Sequence, residues 1–253
     1  MNGLPDALRD FFAAHRRAAL AFSGGTDSAY LLWAALTCGC DVTAYTVRSP
    51  FQPAFELEDA RRLAGTLGAA LRVIDVDTLS DAVIRATPPD RCLHCKRALF
   101  RALWEAARSD GYDALMDGTN ASDDAADRPG MRALKELQVL SPLRLCGIAK
   151  AQVREYSRAA GLFTWDKPAC ACLATRIPSG TALTADMLRR VERAEAALTA
   201  MGFTDFRCRV YRGAALLQFP AAQLTRAAAE RAAIRAALKP YFEIILLDTE
   251  DRG

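Results

Sequence analysis

One glycine-rich stretch near the start of the chain has the residue types of an anion-binding loop. It follows the apolar run Ala18–Phe22 and reads Ser23-Gly24-Gly25-Thr26-Asp27-Ser28. Glycines allow a sharp turn and a close approach of the backbone to a ligand, and the amides that open the next helix bind anions. Ser23 and Ser28 add hydroxyl donors. Because Asp27 is a carboxylate within this anion site, we interpret it as a ligand of a Mg²⁺ ion that carries phosphates.

Cysteines provide the second chemical feature, in the motif Arg91-Cys92-Leu93-His94-Cys95-Lys96, which lies directly before a predicted helix. Thiols at such a position gain thiolate character from the helix N-terminus and from neighbouring cations. Three uses remain open, namely a redox pair, half of a zinc site and two ligands of an iron–sulfur cluster. Cys170 and Cys172 lie in a later loop with Arg176, which can bind a phosphate or a carboxylate. Either cysteine can act as a metal ligand, a nucleophile or a sulfur carrier.

The remaining cysteines and the histidines lack such surroundings in the sequence. We interpret Cys38 and Cys40 as the end of a packed helix, and Cys146 and Cys208 as small apolar fillers. His94 lies between the paired cysteines, and we leave it out of the predicted ligand set.

Composition limits the classes of function. A chain of 253 residues, 51% of them hydrophobic, can bury a large core in one or two domains. The net charge of +3 does not favour nucleic acid as a partner. No apolar run is long enough for a membrane span, and the N-terminal residues lack a secretory signal pattern. We therefore expect a cytoplasmic protein whose cysteines are reduced, metal-bound or catalytic.

The first two thirds of the chain alternate short apolar runs with helical patterns, which predicts an α/β fold with a parallel sheet and helices on both faces. The predicted strands are Ala18–Phe22, Asp41–Val47, Leu71–Asp75 and Ala114–Asp117. The predicted helices between them are Asp27–Cys38, Phe55–Leu67 and Lys96–Ser109. Right-handed crossovers place the carboxyl ends of these strands, and any ligand, along one edge.

Two more segments are expected at that edge. The backbone at Val47 and Ser49, where the second strand ends, can contact an adenine ring. After the fourth strand, Gly118 allows a close approach and Asn120 can hydrogen-bond a sugar or base. Asp123 or Asp124 can hold a metal ion.

The last third of the chain predicts a small α+β domain. A helix over Thr184–Met201, capped by Thr184, precedes further elements predicted at Phe206–Val210, Ala214–Phe219, Ala221–Leu238 and Tyr241–Asp248. We place the domains at residues 1–177 and 178–253. The Ala- and Arg-rich helix is interpreted as a solvated amphipathic helix rather than an RNA-binding element.

The loop from Ser23 to Ser28 resembles the SGGxDS signature of the PP-loop ATP pyrophosphatases, whose fold is HUP/Rossmann-like, and it lacks the Gly-Lys-Ser/Thr ending of the P-loop. Together with the C-x-x-C motif and Cys172-Leu173-Ala174-Thr175-Arg176, it makes the chain similar to the LarE family of ATP-dependent sulfur transferases. Gly118-Thr119-Asn120 and Arg207-Cys208-Arg209-Val210 extend the resemblance over nearly the whole chain.

The resemblance implies an enzyme of nickel-pincer nucleotide cofactor biosynthesis that uses ATP and Mg²⁺. Such an enzyme adenylates a carboxylate of pyridinium-3,5-biscarboxylic acid mononucleotide, a small nucleotide, and converts it to a thiocarboxylate. The resemblance further implies that Arg207 and Arg209 grip a substrate phosphate and that Glu195 helps to bind a metal. It also implies a homo-oligomer, a trimer or a hexamer.

The family has two sources of sulfur. In one, a single cysteine gives up its own sulfur; in the other, three cysteines hold a [4Fe–4S] cluster. Cys92, Cys95 and Cys172 resemble the three-cysteine type, with Cys170 as the alternative third ligand. Other hypotheses are a PP-loop tRNA thiolase, an amide-forming ligase and a zinc-stabilised nucleotide-binding adaptor.

Overall fold

The structure is a computed structural model that describes residues 4–123, 129–168 and 170–250, so the predicted metal ligand Asp124 lies outside the described residues. Its helices are α1 (Asp6–Ala14), α2 (Thr26–Thr37), α3 (Ala54–Leu67), α4 (Ala82–Arg85), α5 (Arg91–Ser109), α6 (Pro129–Glu136), α7 (Pro142–Leu145), α8 (Lys150–Ala159), α9 (Ala185–Ala200), α10 (Ala221–Ala229) and α11 (Arg231–Leu238). Its strands are β1 (Arg17–Ala21), β2 (Asp41–Arg48), β3 (Ala70–Asp75), β4 (Leu115–Met116), β5 (Arg207–Tyr211), β6 (Ala214–Gln218) and β7 (Ile245–Leu247). A 3₁₀ turn spans Leu173–Arg176.

The described elements divide into two compact units. The first comprises Met1–Asp77 and Asp90–Cys170, and the second comprises Thr78–Pro89 and Ala171–Gly253. The second unit is therefore discontinuous in sequence, since it includes α4 from the middle of the chain. The division into domains at residues 177 and 178 stays a prediction.

The first unit is built on a parallel sheet of four strands in the order β3-β2-β1-β4. Its register pairs Ala21 with Tyr45 and Leu20 with Met116. Because the strands are parallel, their carboxyl ends lie along one edge, and the predicted α/β fold is confirmed.

Helices cover both faces of this sheet, as the alternating directions of the side chains along β1 demonstrate. Ala18 and Leu20 point into a core that α1, α2, α3 and α8 also line. Ala19 points into the opposite core, which contains Leu103 and Trp104 of α5. Gly68 ends α3 in the left-handed conformation with φ +65°, which suits a residue without a Cβ.

The cysteine motif lies within α5 rather than before it. The predicted start at Lys96 is wrong, because the helix begins at Arg91. The amide of Leu93 donates to the carbonyl of Asp90 at 2.8 Å, and both Arg91 and Leu93 are buried. The burial of these two side chains thus allows α5 to begin soon after Pro88 and Pro89.

The second unit contains a three-stranded sheet in the order β5-β6-β7. Strands β5 and β6 are antiparallel and β7 is parallel to β6, which confirms the small α+β region. Thr184 caps α9 as predicted, with its Oγ1 accepting from the amide of Met187 at 3.1 Å. The predicted single helix over Ala221–Leu238 is two helices, since the backbone leaves helical geometry at Glu230 (ψ 12°).

The segment that contains α4 is joined to the rest of the second unit by backbone hydrogen bonds. The amide of Gly180 donates to the carbonyl of Thr87 at 3.0 Å, and that of Leu183 donates to the carbonyl of Arg85 at 2.8 Å. These bonds connect residues nearly a hundred positions apart in the chain.

Among the helices formed by residues 4–123, 129–168 and 170–250, none has the length and apolar character needed to cross a membrane.

Candidate active site

The loop between β1 and α2 folds back on itself through the two predicted serines. Ser23 Oγ and Ser28 Oγ lie 3.2 Å apart, and Ser28 Oγ accepts from the amide of Ser23 at 3.3 Å. The amide of Gly25 donates to Ser23 Oγ at 3.3 Å. The loop is therefore preformed at the N-terminus of α2, where backbone amides favour an anion.

Two glycines in this region are required by close backbone contacts. Gly24 has φ +70°, and a Cβ on it would lie 2.9 Å from the amide nitrogen of Ala60 in α3. A Cβ on Gly118 would lie 2.8 Å from the amide nitrogen of Ser28. The predicted close approach at Gly118 is thus an approach to the loop that follows β1.

Asp27 connects three parts of the first unit. Its Oδ1 accepts from Asn120 Nδ2 at 3.2 Å, and its Oδ2 lies 2.5 Å from Lys150 Nζ. The side chains of Asp27 and Lys150 keep 24% and 34% of their surface exposed. The ammonium of Lys150 therefore lies at the loop, where it can meet the phosphates of a nucleotide.

Buried polar contacts support the segment that carries Gly118 and Asn120. The Asp117 carboxylate is buried and accepts from Thr119 Oγ1 at 2.5 Å and from Ser141 Oγ at 2.6 Å. Asp123, a predicted metal ligand, accepts from the amide of Asn120 at 3.0 Å. These bonds fix the turn after β4, and the metal-binding role of Asp123 stays a prediction.

Residues 164–167 also hold the glycine-rich loop in place, a role that sequence reasoning missed. Lys167 Nζ lies 2.7 Å from Asp59 Oδ2 and 3.5 Å from the carbonyl oxygen of Gly24. Thr26 Oγ1 donates to the carbonyl of Thr164 at 2.8 Å. The glycine-rich loop is therefore anchored on α3 and on this later segment.

Val47 and Ser49 lie at the carboxyl end of β2, beyond Tyr45, which pairs with Ala21 of β1. Val47 packs into the core formed with α5, and Ser49 Oγ accepts from the amide of Phe51 at 3.3 Å. Both residues are thus at the predicted edge, and their contact with adenine stays a prediction.

Cys92 and Cys95 lie in the first two turns of α5, where a spacing of three places them on one side of the helix. Cys92 is exposed and Cys95 is half-buried. Arg91 Nη2 is 4.0 Å from Cys92 Sγ. His94 Nε2 is 3.2 Å from Asp90 Oδ2, which gives this imidazole a carboxylate partner.

The site residues predicted in the second unit surround the 3₁₀ turn that follows Cys172. Arg176 is buried and forms an ion pair with Glu195, with Nε and Oε1 2.8 Å apart. Arg209 Nη1 donates to the carbonyl of Thr175 at 2.8 Å, while Arg207 Nη1 donates to the carbonyl of Phe206 at 2.7 Å. The structure thus brings Arg176 and Glu195 together, a pairing that sequence reasoning missed.

The cysteines interpreted as fillers differ in burial. Cys208 is fully buried, and burial, helped by the Glu195 carboxylate, raises the pKa of its thiol to about 12. Burial likewise raises the pKa of Cys40 to about 11. Both thiols therefore stay protonated at neutral pH, which fits their interpretation as small apolar fillers. Cys38 and Cys146 are half-buried.

Within the part of the chain that the structure describes, no group of three or more His, Cys, Asp or Glu side chains is arranged to hold a metal ion. The cluster ligands Cys92, Cys95 and Cys172 and the metal-binding role of Glu195 stay predictions.

Replacing Gly118 by alanine is expected to lower ATP-dependent pyrophosphate formation about a hundredfold. A new Cβ 2.8 Å from the Ser28 amide must push the loop away, and a misplacement of about 1 Å costs about 10²-fold. Gly65→Ala in α3 is the matched control, because its Cβ would meet no atom within 4 Å. Equal pyrophosphate release by the two variants would contradict this assignment.

Comparisons with known proteins identify the family of this chain. The family model described as "Thiamine biosynthesis protein (ThiI)" matches residues 14–196. An uncharacterised protein of Synechocystis sp., slr1717, is 37% identical over 86% of this chain and 81% of its own length. The pyridinium-3,5-bisthiocarboxylic acid mononucleotide synthase of Lactiplantibacillus plantarum is 34% identical over 86% of this chain and 78% of its own.

A more distant match is the tRNA-specific 2-thiouridylase MnmA of Thermotoga petrophila, which is 25% identical over 46% of this chain and 39% of its own. The family match spans the glycine-rich loop, the C-x-x-C motif and the 3₁₀ turn. Membership of this family implies the use of ATP and Mg²⁺. The chain belongs to the LarE family of PP-loop ATP-dependent sulfur transferases.

Proposed function

We propose that this enzyme adenylates a carboxylate of pyridinium-3,5-biscarboxylic acid mononucleotide and converts it to a thiocarboxylate in nickel-pincer nucleotide biosynthesis. The observation that carries the proposal is the 34% identity, over 86% of this chain, to a protein named for the bisthiocarboxylic product. The preformed loop with Asp27, Asn120 and Lys150 supports the ATP-dependent half of the reaction.

In the adenylation step, a carboxylate oxygen of the substrate attacks the α-phosphorus of ATP. The bond to the bridging oxygen breaks, pyrophosphate leaves and an acyl adenylate forms. The amides and hydroxyls of Ser23–Ser28 hold the phosphates, and Lys150 offsets the negative charge that develops on pyrophosphate. The partly exposed Asp27 carboxylate is the kind of ligand that Mg²⁺ takes, and a bound Mg²⁺ would neutralise the phosphates.

In the second step, sulfur bonds to the carbonyl carbon of the acyl adenylate, AMP leaves and a thiocarboxylate remains. We propose that Cys92, Cys95 and Cys172 bind a [4Fe–4S] cluster, with Cys170 as the alternative to Cys172. Cys92 and Cys95 fit thiolate ligation, because they share one side of α5 near its N-terminus. When bound, the cluster would supply this sulfur as sulfide, so that the step needs neither an oxidant nor a reductant. In the other form of this proposal no cluster is present, and Cys172 Sγ bonds to the carbonyl carbon as AMP leaves. Loss of the Cα proton to solvent then breaks the Cβ–Sγ bond, which releases the thiocarboxylate and converts Cys172 to dehydroalanine.

The remaining proposals concern substrate contacts and the form of the protein. Val47, Ser49, Gly118 and Asn120 contact the adenosine part of ATP, and the arginines of β5, Arg207 and Arg209, bind the substrate phosphate. The enzyme is a cytoplasmic homo-oligomer, a trimer or a hexamer, that binds neither membranes nor nucleic acid.

Protein purified without oxygen is expected to contain about four irons and four acid-labile sulfides per chain, as [4Fe–4S] ligation by cysteines requires. With ATP and the mononucleotide, it is expected to release pyrophosphate and AMP and to form a thiocarboxylate detectable by mass spectrometry. Cys92→Ala is expected to lose the iron, because one ligand is removed, while Cys146→Ala keeps it. Zinc in place of iron would refute the cluster, and absence of a thiocarboxylate would refute the reaction.

The similarity to MnmA favours a tRNA thiolase as the second candidate. Such an enzyme must bind tRNA with an affinity that falls steeply with salt, because phosphate contacts release counterions. A tRNA gel shift at low salt followed by analysis for 2-thiouridine separates the candidates. A shift together with thiolated tRNA would favour this candidate over the mononucleotide.

A further inference from the structure

A buried ion pair lies directly behind the 3₁₀ turn that follows Cys172. The Arg176 side chain is only 2% exposed, and its Nε and Nη2 donate to Glu195 Oε1 and Oε2 at 2.8 and 3.2 Å. Such a bidentate contact fixes the plane of the guanidinium as well as its position.

The third nitrogen of the same guanidinium faces the cysteine. Arg176 Nη1 donates to the carbonyl of Ala171 at 3.0 Å and to Thr175 Oγ1 at 2.9 Å. Thr175 Oγ1 in turn donates to the carbonyl of Cys172 at 2.7 Å. The backbone is therefore held on both sides of the Cys172 side chain.

Glu195 is anchored independently of the arginine. It lies on α9 beside the buried Ala194, and its Oε1 also accepts from the amide of Cys208 in β5 at 3.0 Å. Both carboxylate oxygens are therefore engaged by donors of the protein itself. The ion pair links a helix and a strand of the second unit to the turn that carries the cysteine.

We infer that Arg176 and Glu195 are positioning residues that hold Cys172 in place, rather than ligands of a substrate phosphate and of a metal ion. The inference rests on the proposed function in one respect, namely that Cys172 takes part in sulfur transfer. A buried guanidinium whose nitrogens all serve protein acceptors has little capacity for an outside anion. Replacing either partner leaves the other buried without its charge, which loosens the turn.

Alkylation of Cys172 by iodoacetamide in the iron-free, full-length protein tests this directly, with peptide mass spectrometry as the readout. In Glu195→Gln, the rate at Cys172 is expected to rise about tenfold, because hydrogen bonds to a charged group no longer hold the turn closed. The rate at Cys92, which lies in the first unit, is expected to stay unchanged. Asp186→Asn, which removes an exposed carboxylate from the same helix, is the matched control.

Thr175→Val provides a second variant that leaves the ion pair intact, in case Glu195→Gln does not fold. It removes only the hydroxyl between Arg176 and the carbonyl of Cys172. The rate at Cys172 is expected to rise about threefold to fivefold, since fewer bonds are lost. A wild-type rate at Cys172 in the folded variants would overturn the inference.

Binding of Mn²⁺ to the same iron-free proteins tests the competing role of Glu195. Wild type and Glu195→Gln are expected to bind the same number of Mn²⁺ ions with the same affinity. The loss of one bound Mn²⁺ in the variant would identify Glu195 as a metal ligand and overturn the inference. Neither readout requires sulfur transfer, so failure of the proposed reaction and failure of the positioning role are distinguishable.

Discussion

Replacing Asp27 by asparagine is expected to lower ATP-dependent pyrophosphate formation at least ~10³-fold, because a group that organises the phosphates and their metal is lost. The amide keeps the size of the carboxylate and still accepts a hydrogen bond from Asn120, so the loop keeps its shape. Pyrophosphate release is the measurement.

The same change is expected to have little effect on folding. Asp27 and Lys150 are 24% and 34% exposed, and an ion pair of that kind contributes about 0–1 kcal/mol to the free energy of unfolding. Asp41→Asn, which removes a carboxylate paired with Arg17 at the opposite edge of the sheet, is the control for charge and should keep full activity.

Lys150→Gln measures the contribution of the lysine to activity separately from that of Asp27. We expect a loss of about 10²-fold, because the charge that offsets the leaving pyrophosphate is removed. If Lys150 served only to orient Asp27, then Asp27→Asn/Lys150→Gln would be no less active than Asp27→Asn alone. Activity of Asp27→Asn within tenfold of wild type would refute the role of Asp27.

Replacing Cys172 by alanine is expected to abolish thiocarboxylate formation while pyrophosphate is still released. Adenylation joins a substrate carboxylate to the α-phosphorus of ATP and uses no thiol, so pyrophosphate release is not expected to require Cys172. Mass spectrometry of the nucleotide product, together with a pyrophosphate assay, measures both halves of the reaction in one sample.

Cys38→Ala is the matched control, because this half-buried thiol ends α2 and is expected to be dispensable. A thiocarboxylate formed by Cys172→Ala would refute the role of Cys172, and the same assay on Cys170→Ala would then test its neighbour. Loss of pyrophosphate release as well would indicate that the cysteine also affects adenylation.

The sheet and its nucleotide edge were predictable because their signals are local. Buried parallel strands are short apolar runs, and the residues that follow β1 predict a tight turn into a helix. Gly118 was expected to allow a close approach, and the structure identifies the neighbour as the amide of Ser28.

The supporting charges were not predictable, because they arise from folding alone. Lys150 lies 123 residues after Asp27, and Lys167 lies 108 residues after Asp59. Neither lysine belongs to a motif, so only the packing of α8 and of residues 164–167 reveals them. Glu195 was assigned to a metal by resemblance, whereas its pairing with Arg176 depends on how α9 packs beside the 3₁₀ turn.

Helix boundaries failed where tertiary packing overrides local signals. Pro88 and Pro89 suggest a loop, yet the burial of Leu93 brings the start of α5 forward to Arg91. The break at Glu230 has no proline or glycine to mark it, and uniform alanine and arginine composition predicts one continuous helix.

The discontinuous second unit has a consequence for protein synthesis. The α4 segment leaves the ribosome roughly 90 residues before Gly180 and Leu183, which is about 5–20 s at ordinary translation rates. Until then, the carbonyls of Arg85 and Thr87 lack their eventual donors, and Ile84 lacks the rest of its unit. A fragment that begins at residue 171 or 178 lacks residues 78–89, so it could never form these hydrogen bonds. Expressing the last third of the chain alone is therefore expected to give an incomplete fold, whereas adding residues 78–89 as a peptide would supply the missing piece.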